Sequence, residues 1–383
     1  MRAIDPSPSI LAVAVSHKRH RVFAVLSVAL ALGLGLVAVE WGLRQVGAPP
    51  PLNDHLDDGM FDYHPRLGWT LRPGWSGRHR NIDFDVLYRI NAQGHRGAPA
   101  AADQPLGERR IVYLGDSFTF GMGVNDDETF PAVLETRRAI GARHLNFGVP
   151  GYSSDQAVLL AEDRVFALSP TIIVLVVYLG NDLLDNLSPY PLQAEFAKPY
   201  FVREGDGVVL RGVPVPAQPK PAALRQSFGE AIGAETRAPP GWLGRLELVR
   251  RVVSLVPEAD RRAAFAARHA GAVELFAALI RRLAAACRDH DVALVVALLP
   301  GKAFVSDPQG LSAQYQDVMR QAVRDRLAGL AIPVIDVAAA LRDAHGRGQT
   351  NLYHPHEGHL TAAGNRFVAD VLAAALATLG RER

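Results

Sequence analysis

One short stretch organises this chain: Ile111-Val112-Tyr113-Leu114-Gly115-Asp116-Ser117. Here an apolar run of β-forming residues ends abruptly at a glycine, and a helical pattern begins near Glu128. A strand that stops in this way ahead of a helix exposes its turn residue at the carboxyl edge of a sheet. Ser117 therefore has two interpretations. It either caps the following helix, or it is a nucleophile presented at the edge of the sheet.

The alternation of apolar runs and helical segments predicts the architecture of residues 108–383. Strand candidates lie at 111–115, 144–148, 171–179, 292–299 and 332–336. Continuous apolar runs suit strands that are covered on both faces, as in a parallel sheet. The sequence therefore predicts an α/β fold with a doubly wound, parallel five-stranded sheet in three α/β/α layers. The only cysteine, Cys287, excludes an intrachain disulfide and lies in an apolar helical stripe, which predicts a core residue.

The amino-terminal region has the pattern of a membrane anchor. Residues 17–21 read His-Lys-Arg-His-Arg, and residues 22–39 are uncharged and rich in Leu, Ala and Val. An apolar span of roughly 17–25 residues crosses a bilayer, and preceding Lys and Arg favour a cytoplasmic amino terminus. We therefore predict a cytoplasmic basic segment at 1–21, an uncleaved signal anchor at 22–39 and an extracytoplasmic remainder, which places the protein in the inner (cytoplasmic) membrane. A cleaved signal peptide is the alternative, although the residues after 39 do not suit a peptidase.

The rest of the chain divides into an extension, a main domain and an insertion. Residues 40–107 are predicted to be a linker and amino-terminal extension, whose aromatic residues are expected to cover the main domain rather than form a site. Residues from about 185 to 260 interrupt the α/β alternation with many prolines, a hairpin at 200–208 and a basic helical piece near 245–256. An insertion of this length is either a substrate-facing lid or a packing elaboration. The 41 basic and 39 acidic residues nearly balance, so charge does not favour a nucleic-acid partner.

Three further motifs lie where strands end or where the last helix begins. Gly151 follows the second strand in the turn at 146–153, and Asn181 follows the third strand in Gly-Asn-Asp. His359 precedes Thr361, which is a good N-cap for the amphipathic helix predicted at 362–379. Because the carboxyl ends of parallel strands meet at one edge, these residues are expected near Ser117.

Together the motifs supply what acyl transfer needs. A serine hydroxyl is a weak nucleophile until a base takes its proton, and His359 can act as that base and then as an acid. A carboxylate should hold the other ring nitrogen. The N–H groups of Ser117 and Gly151 and the side chain of Asn181 could form an oxyanion hole. Asp116 and Asp182, beside these motifs, are predicted to be structural: the first accepts N–H bonds of the turn and the second caps the segment after its strand.

The four motifs resemble those of the SGNH (GDSL-type) esterases and lipases. The signature residues of that family match Ser117, Gly151, Asn181 and His359, in the family's chain order, and the resemblance covers about 108–380. It implies a flavodoxin-like sheet, no metal, no organic cofactor, and hydrolysis of small-molecule or polysaccharide acyl esters through an acyl-serine intermediate. The membrane-anchored bacterial members, some of which act on O-acetylated polysaccharides, are the most similar in layout.

The acidic residue departs from the family pattern. The family usually places Asp three residues before the histidine, and some members place it two before. Here His356 stands three before and Glu357 two before. Glu357 is therefore the predicted acid, while a Ser–His dyad with a backbone carbonyl partner remains open. His354 and His356 are alternative bases, and with Glu357 and His359 they also allow a metal site.

Three functions follow. The leading hypothesis is a membrane-tethered serine esterase that hydrolyses short acyl esters, in particular O-acetyl esters, on carbohydrate or cell-envelope substrates. An O-acyltransferase would use the same residues. A catalytically degenerate carbohydrate-binding protein would keep the fold alone.

Overall fold

The computed structural model describes residues 17–45, 50–97, 99, 108–232, 246, 248–249, 252 and 258–379. The chain forms two compact units: residues 1–49 with 238–255, and residues 50–237 with 256–383. The basic helical piece predicted near 245–256 lies largely outside the described residues.

The described part of the first unit is dominated by helix α1, His17–Gln45. Its stretch His20–Arg44 has 25 residues and contains an 18-residue window with a mean hydropathy of 2.7 and no buried residues, so it is long and apolar enough to cross a membrane. Membrane anchors and signal sequences both contain such a helix.

The second unit begins with the extension, which forms five short antiparallel strands. These are β1 (His55–Leu56), β2 (Phe61–His64), β3 (Gly68–Leu71), β4 (Ser76–Arg80) and β5 (Asp85–Arg89). β1, β4 and β5 form one small sheet, and β2 pairs with β3. Side chains of β5 alternate, so Val86 and Tyr88 are buried against the main domain while Asp85 and Arg89 face solvent. The extension therefore packs on the main domain, as its aromatic residues predicted.

The main domain is built on a parallel sheet. Its strands are β6 (Arg109–Gly115), β7 (Ala142–Gly148), β8 (Ile172–Tyr178), β11 (Ala293–Leu299) and β12 (Val334–Ile335). The spatial order is β12-β11-β8-β6-β7, and all four pairings are parallel. The chain runs from β6 to β7 at one edge of the sheet and then returns to β8 on the other side of β6. This is the doubly wound flavodoxin-like arrangement. The fold class and all five strands predicted from the sequence are confirmed.

Helices cover both faces of this sheet. They are α2 (Ser117–Phe120), α3 (Phe130–Thr136), α4 (Ser154–Leu160), α5 (Asp182–Asp185), α6 (Phe228–Ile232), α7 (Glu258–Asp289), α8 (Lys302–Ser306), α9 (Leu311–Ala328), α10 (Val337–Gly346) and α11 (Ala362–Leu379). The predicted apolar stripe of α7, Cys287 included, is buried in the core. α11 begins where it was predicted, and Thr361 caps it by accepting the N–H of Gly364 at 3.1 Å. α11 is also apolar enough for a membrane span, but its buried residues belong to the core, which makes it a core helix.

Two local features differ from, or refine, the sequence-based expectation. A short helix begins directly at Ser117 rather than only near Glu128, because the side chain of Asp116 accepts the N–H of Phe118 and caps it. In the insertion, β9 (Tyr200–Glu204) and β10 (Gly207–Arg211) pair as the predicted hairpin.

Candidate active site

Ser117 lies on the turn between β6 and α2. Asp116 accepts the N–H of Phe118 at 2.9 Å, so the first turn of the helix starts at the serine. A Cβ atom on Gly115 would lie 2.3 Å from Thr119 Oγ1 and 2.9 Å from the carbonyl oxygen of Val176, so only glycine fits before this turn. The Asp116 interaction is the one expected from the sequence, and burial raises the pKa of its carboxyl, against the opposing effect of His359.

A chain of hydrogen bonds joins three predicted residues. The Oγ of Ser117 is 2.7 Å from Nε2 of His359. Nδ1 of the same ring is 2.5 Å from Oε1 of Glu357, whose Oε2 accepts the backbone N–H of His359 at 2.9 Å. Glu357 thus holds both the ring and the backbone of the histidine. Burial alone would raise the pKa of Glu357, but the hydrogen bonds and charge of His359 outweigh it and lower that pKa, so the carboxylate is ionised at neutral pH.

The other two histidines of the loop contact different groups. Nε2 of His354 is 3.1 Å from the carbonyl oxygen of Gly123, and Nδ1 of His356 is 2.7 Å from Asp83. Neither ring contacts Ser117, so the geometry favours His359 as the base over these two alternatives. In the part of the chain that the structure describes, no group of three or more His, Cys, Asp or Glu side chains is arranged to hold a metal ion.

Gly151 and Asn181, the predicted oxyanion donors, are placed differently. Gly151 has φ +81°, a left-handed conformation that favours glycine, and it lines the same cavity as Ser117 and His359. Among the described residues, neither its N–H nor that of Ser117 donates a hydrogen bond to a protein acceptor. Asn181 is buried at the end of β8, where Nδ2 donates to Asp185, and it is not part of the cavity lining. An amide NH₂ has two hydrogens, and the bond to Asp185 uses one of them.

Asp182 is structural, although not as a cap of the following segment. Its Oδ2 accepts the N–H of Tyr178, the last residue of β8, at 2.9 Å. The carboxyl therefore ties the end of the strand to the start of α5. Burial and the nearby charge of Asp116 raise the pKa of Asp182 well above its ordinary value.

Ser117 opens into a cavity of about 450 Å³. The extension and the insertion both contribute to its walls. The expectation that the aromatic residues of the extension only cover the main domain is therefore wrong for Phe61, Tyr63 and Trp69, which line this cavity. From the extension come Leu56, Phe61, Asp62, Tyr63, Gly68 and Trp69; from the insertion, Gln193, Ala194, Glu195, Phe196, Pro216 and Ala217. The walls are fixed by long-range bonds: Trp69 Nε1 donates to the carbonyl of Pro150 at 3.1 Å, and the Tyr63 hydroxyl donates to that of Val215 at 2.6 Å. Residues of the insertion thus line the same cavity as Ser117.

Three further side chains support the site and were missed by sequence reasoning. The ring of Phe118 packs against the His359 ring, with centroids 4.4 Å apart. Asp83 accepts hydrogen bonds from the loop that carries Glu357. Arg96, fully buried, donates to the carbonyls of Phe120, Gly121 and Val124 and so holds the segment after the nucleophile helix. Only Phe118 had a local signal, as the neighbour of the serine; the other two act across long sequence separations.

A serine, a histidine and a carboxylate in one hydrogen-bonded chain at a sheet edge define a serine hydrolase. The sequence model of the GDSL-like Lipase/Acylhydrolase family matches residues 113–367, and the chain belongs to this family. The match includes all five predicted site residues. The protein is therefore an SGNH-type serine hydrolase, as the resemblance implied.

The chain is also similar to solved structures of other proteins. A protein of the G-D-S-L family from Desulfitobacterium hafniense DCB-2 is 14% identical, with 70% of this chain and 99% of that chain covered and a TM-score of 0.38. A catalytic mutant of Axe2, an acetylxylan esterase from Geobacillus stearothermophilus, is 12% identical, with 71% and 96% covered and a TM-score of 0.40. No curated protein sequence matches the chain.

Proposed function

We propose that this protein is a serine esterase that hydrolyses short acyl esters, in particular O-acetyl esters, on carbohydrate or cell-envelope substrates. The observation that carries the proposal is the chain from Glu357 through His359 to Ser117, which ends in the 450 Å³ cavity. A serine hydroxyl is activated for attack on a carbonyl when it is hydrogen-bonded to a histidine whose ring is held by a charged carboxylate.

The reaction has two steps in this proposal. Ser117 Oγ attacks the ester carbonyl while His359 Nε2 accepts its proton, and Glu357 stabilises the imidazolium that forms. The negative oxygen is stabilised by the N–H groups of Ser117 and Gly151 and by the Asn181 amide. The bond to the alcohol then breaks, and His359 returns the proton to that alcohol. A water molecule, deprotonated by His359, attacks the acyl-serine and releases the acid.

The cavity lining supports an ester with a polar alcohol portion. Apolar side chains such as Met122 and Trp69 offer a surface for the acyl methyl group, while Asp62, Gln193 and Glu195 offer hydrogen-bond partners for hydroxyl groups. Tyr63 and Phe196, which are 54% and 51% exposed, present flat faces to a bulky alcohol. These polar side chains support a carbohydrate ester, within a lining that is mostly apolar and in which Asp62 and Glu195 also pair with Arg72 and Arg225.

The proposal is tested by two assays on the full-length protein in detergent. In the first, p-nitrophenyl esters from acetate to decanoate are hydrolysed, and we expect the highest kcat/KM for acetate. In the second, O-acetylated cell-envelope glycans are treated, and mass spectrometry should show a loss of acetyl groups that Ser117→Ala does not cause. A kcat/KM that rises with chain length would contradict the short-acyl proposal. Unchanged glycans would contradict the carbohydrate proposal.

A second candidate is acyl transfer to another hydroxyl by the same residues. The segments at 193–196 and 216–217 line the cavity beside Ser117, and exclusion of water by such walls would favour transfer over hydrolysis. Adding an oligosaccharide acceptor to the p-nitrophenyl acetate assay distinguishes hydrolysis from transfer. Formation of an acetylated acceptor with a matching decrease in released acetate would identify a transferase.

We also propose that α1 anchors the protein in the inner membrane with the main domain outside the cytoplasm. α1 has 29 residues and therefore a length of roughly 44 Å, more than the ~30 Å apolar core of a bilayer, and basic residues precede its apolar part. Extraction of cell membranes at alkaline pH and protease digestion of spheroplasts test this. Release into the soluble fraction, or protection from external protease, would contradict it.

A further inference from the structure

Asp83 lies on the turn between β4 and β5 of the extension, 274 residues before Glu357 in the chain. Its carboxylate is only 2% exposed and accepts three hydrogen bonds from the loop at 356–357. Oδ2 accepts the N–H of His356 at 2.8 Å and that of Glu357 at 2.7 Å, and Oδ1 is 2.7 Å from Nδ1 of the His356 ring.

The turn that carries Asp83 is itself well fixed. Oδ1 of Asn81 accepts the N–H of Asp83 at 2.9 Å and that of Phe84 at 3.2 Å, which closes an Asx-type turn. The ring of Phe84 packs against the ring of His354, with centroids 5.1 Å apart. The Asp83 carboxylate is therefore held at a defined place above the loop.

The negative charge of the Asp83 carboxylate suits its role as a hydrogen-bond acceptor. Burial alone would raise the pKa of its carboxyl, but the hydrogen bonds from Glu357 and His356 outweigh this effect and lower that pKa. The group is ionised at neutral pH and can only accept, and all three partners are nitrogens able to donate.

The loop needs such a contact because it has little regular structure of its own. Between α10 and α11 the chain makes a single isolated bridge, Tyr353 with Leu360, and Gly358 adopts φ +93° directly after Glu357. Glutamate has one more rotatable bond than the aspartate usual in the family, so its carboxylate can reach many positions. Fixing the backbone N–H groups of His356 and Glu357 limits where that carboxylate can lie relative to His359.

We infer that Asp83 is a positioning residue of the esterase reaction: it holds the backbone at 356–357 so that Glu357 meets His359. The inference rests on the proposed function, since it concerns the same triad. Asp83 does not touch the reacting atoms; it acts through Glu357. The extension is therefore part of the catalytic apparatus as well as a cover on the main domain.

The first test compares kcat and KM for p-nitrophenyl acetate. We expect Asp83→Ala to lower kcat by about 10- to 100-fold, which is the usual cost of removing a residue that orients a functional side chain. KM should change less than about threefold. The matched control is Asp85→Ala, two residues away, whose exposed carboxylate pairs with Arg78 and does not contact the loop. An Asp83→Ala variant with wild-type kcat would overturn the inference.

The second test is a double-mutant cycle. If Asp83 acts through Glu357, then adding Asp83→Ala to Glu357→Ala should lower kcat by less than about threefold more. A full additional 10- to 100-fold loss in that background would show that Asp83 acts elsewhere, and would also overturn the inference.

A third comparison separates positioning from folding. His356→Ala removes the ring bond but keeps both N–H bonds, so kcat should stay within about threefold of wild type. Asp83→Asn keeps an acceptor oxygen for the backbone and should recover part of the kcat lost in Asp83→Ala. A fluorophosphonate probe should label Asp83→Ala to the same final stoichiometry but more slowly. Incomplete labelling of both Asp83 variants would indicate a folding role and contradict the inference.

Failure of the proposed function gives a different pattern. If Ser117→Ala retains the activity and the labelling of the wild type, the triad itself is wrong, whatever the Asp83 variants do. If Ser117→Ala is inactive and unlabelled while Asp83→Ala is fully active, only the positioning inference fails.

Discussion

The two halves of the candidate site are held in different ways. Ser117, Gly151 and Asn181 follow β6, β7 and β8, neighbouring strands whose parallel ladder pairs Gly115 with Gly148 and Leu114 with Leu175. His359 and Glu357 lie on a loop with a single isolated bridge, which is held by side chains from distant parts of the chain. Asp83 binds its backbone, and Lys302 donates to the carbonyl of Pro355.

This difference shows which residues local sequence can place. A strand ladder fixes the position of a residue at its end within about one residue, because each pairing sets the next. A loop has no such register, so the position of its side chains depends on contacts with segments far away in sequence. The acid and the base therefore depend on contacts with the extension. The nucleophile takes its position from the sheet, and Arg96 of the extension holds the segment after its helix.

The largest expected effect is at the junction of the two halves. Ser117→Ala and His359→Ala should each lower kcat for p-nitrophenyl acetate by about 10⁴-fold or more, since each removes a group that reacts. The double variant should lose little more than either single one, because the two act as a unit. Ser153→Ala is a control, since that buried serine hydroxyl donates to Asp155. Equal activity of wild type, Ser117→Ala and His359→Ala would exclude the triad.

The next prediction concerns the half of the site that lies on the loop with Glu357 and His359. We expect Glu357→Ala to lower kcat by about 10³- to 10⁴-fold, because the ring loses the partner that orients it and stabilises its charged form. Glu204→Ala, whose exposed carboxylate pairs with Arg211 in the β9–β10 hairpin, is the control. A kcat for Glu357→Ala within threefold of wild type would favour a Ser–His dyad.

A smaller effect measures the sheet half. Asn181→Ala should lower kcat by about 10²- to 10³-fold with little change in KM, since one oxyanion donor is lost. The exposed Asn351, whose backbone carbonyl accepts a hydrogen bond from the hydroxyl of Thr361, offers a control as Asn351→Ala. A kcat unaffected by Asn181→Ala would show that the backbone N–H groups of Ser117 and Gly151 stabilise the oxyanion without it.

The smallest effect on catalysis concerns the contact between the extension and the sheet. His95 is 1% exposed and stacks on Phe147 of β7, and burial lowers its pKa to about 4. Its ordinary pKa is higher, so as the pH falls through about 6.5 the unfolded chain takes up the proton first and the folded state loses stability until about pH 4. When this contribution is lost completely, the free energy of unfolding is lower by about 3 kcal/mol.

Urea unfolding at pH 7, 6 and 5 checks this expectation. His95→Asn should have a lower free energy of unfolding at pH 7, but that free energy should fall less steeply with decreasing pH than in wild type. Its kcat at pH 7 should stay close to wild type. The same pH slope in both proteins would show that His95 does not carry the linkage.

The predictions made from sequence succeeded where the signal was local. The five strands, the helix after Thr361 and the buried stripe of α7 were readable because apolar periodicity follows directly from which face is covered. Ser117, Gly151 and Asn181 were proposed because each follows the end of such a strand within three residues, and their roles in catalysis stay predictions. Glu357 was proposed from its distance to His359, and the structure places its carboxylate on that ring.

Residues that act from far along the chain had no such signal. Asp83 and Arg96 lie in an extension to which the sequence assigned no chemistry, and nothing in their neighbourhood indicates a buried partner. The cavity walls from the extension were missed for the same reason, whereas the sequence allowed the insertion to be either a substrate-facing lid or a packing elaboration. The basic helical piece expected near 245–256 lies largely outside the described residues, and its prediction stands as made.

By itself, the sequence determined the parallel sheet, the apolar amino-terminal helix and the family of the protein, because these depend on local periodicity and on short motifs at strand ends. Only the tertiary structure decided which of the three histidines meets Ser117, and that the carboxylate of Glu357 reaches the ring of that histidine. The physical reason is that a flexible loop takes its geometry from its partners. Here these include Asp83, which contacts the loop only once the extension has packed on the sheet.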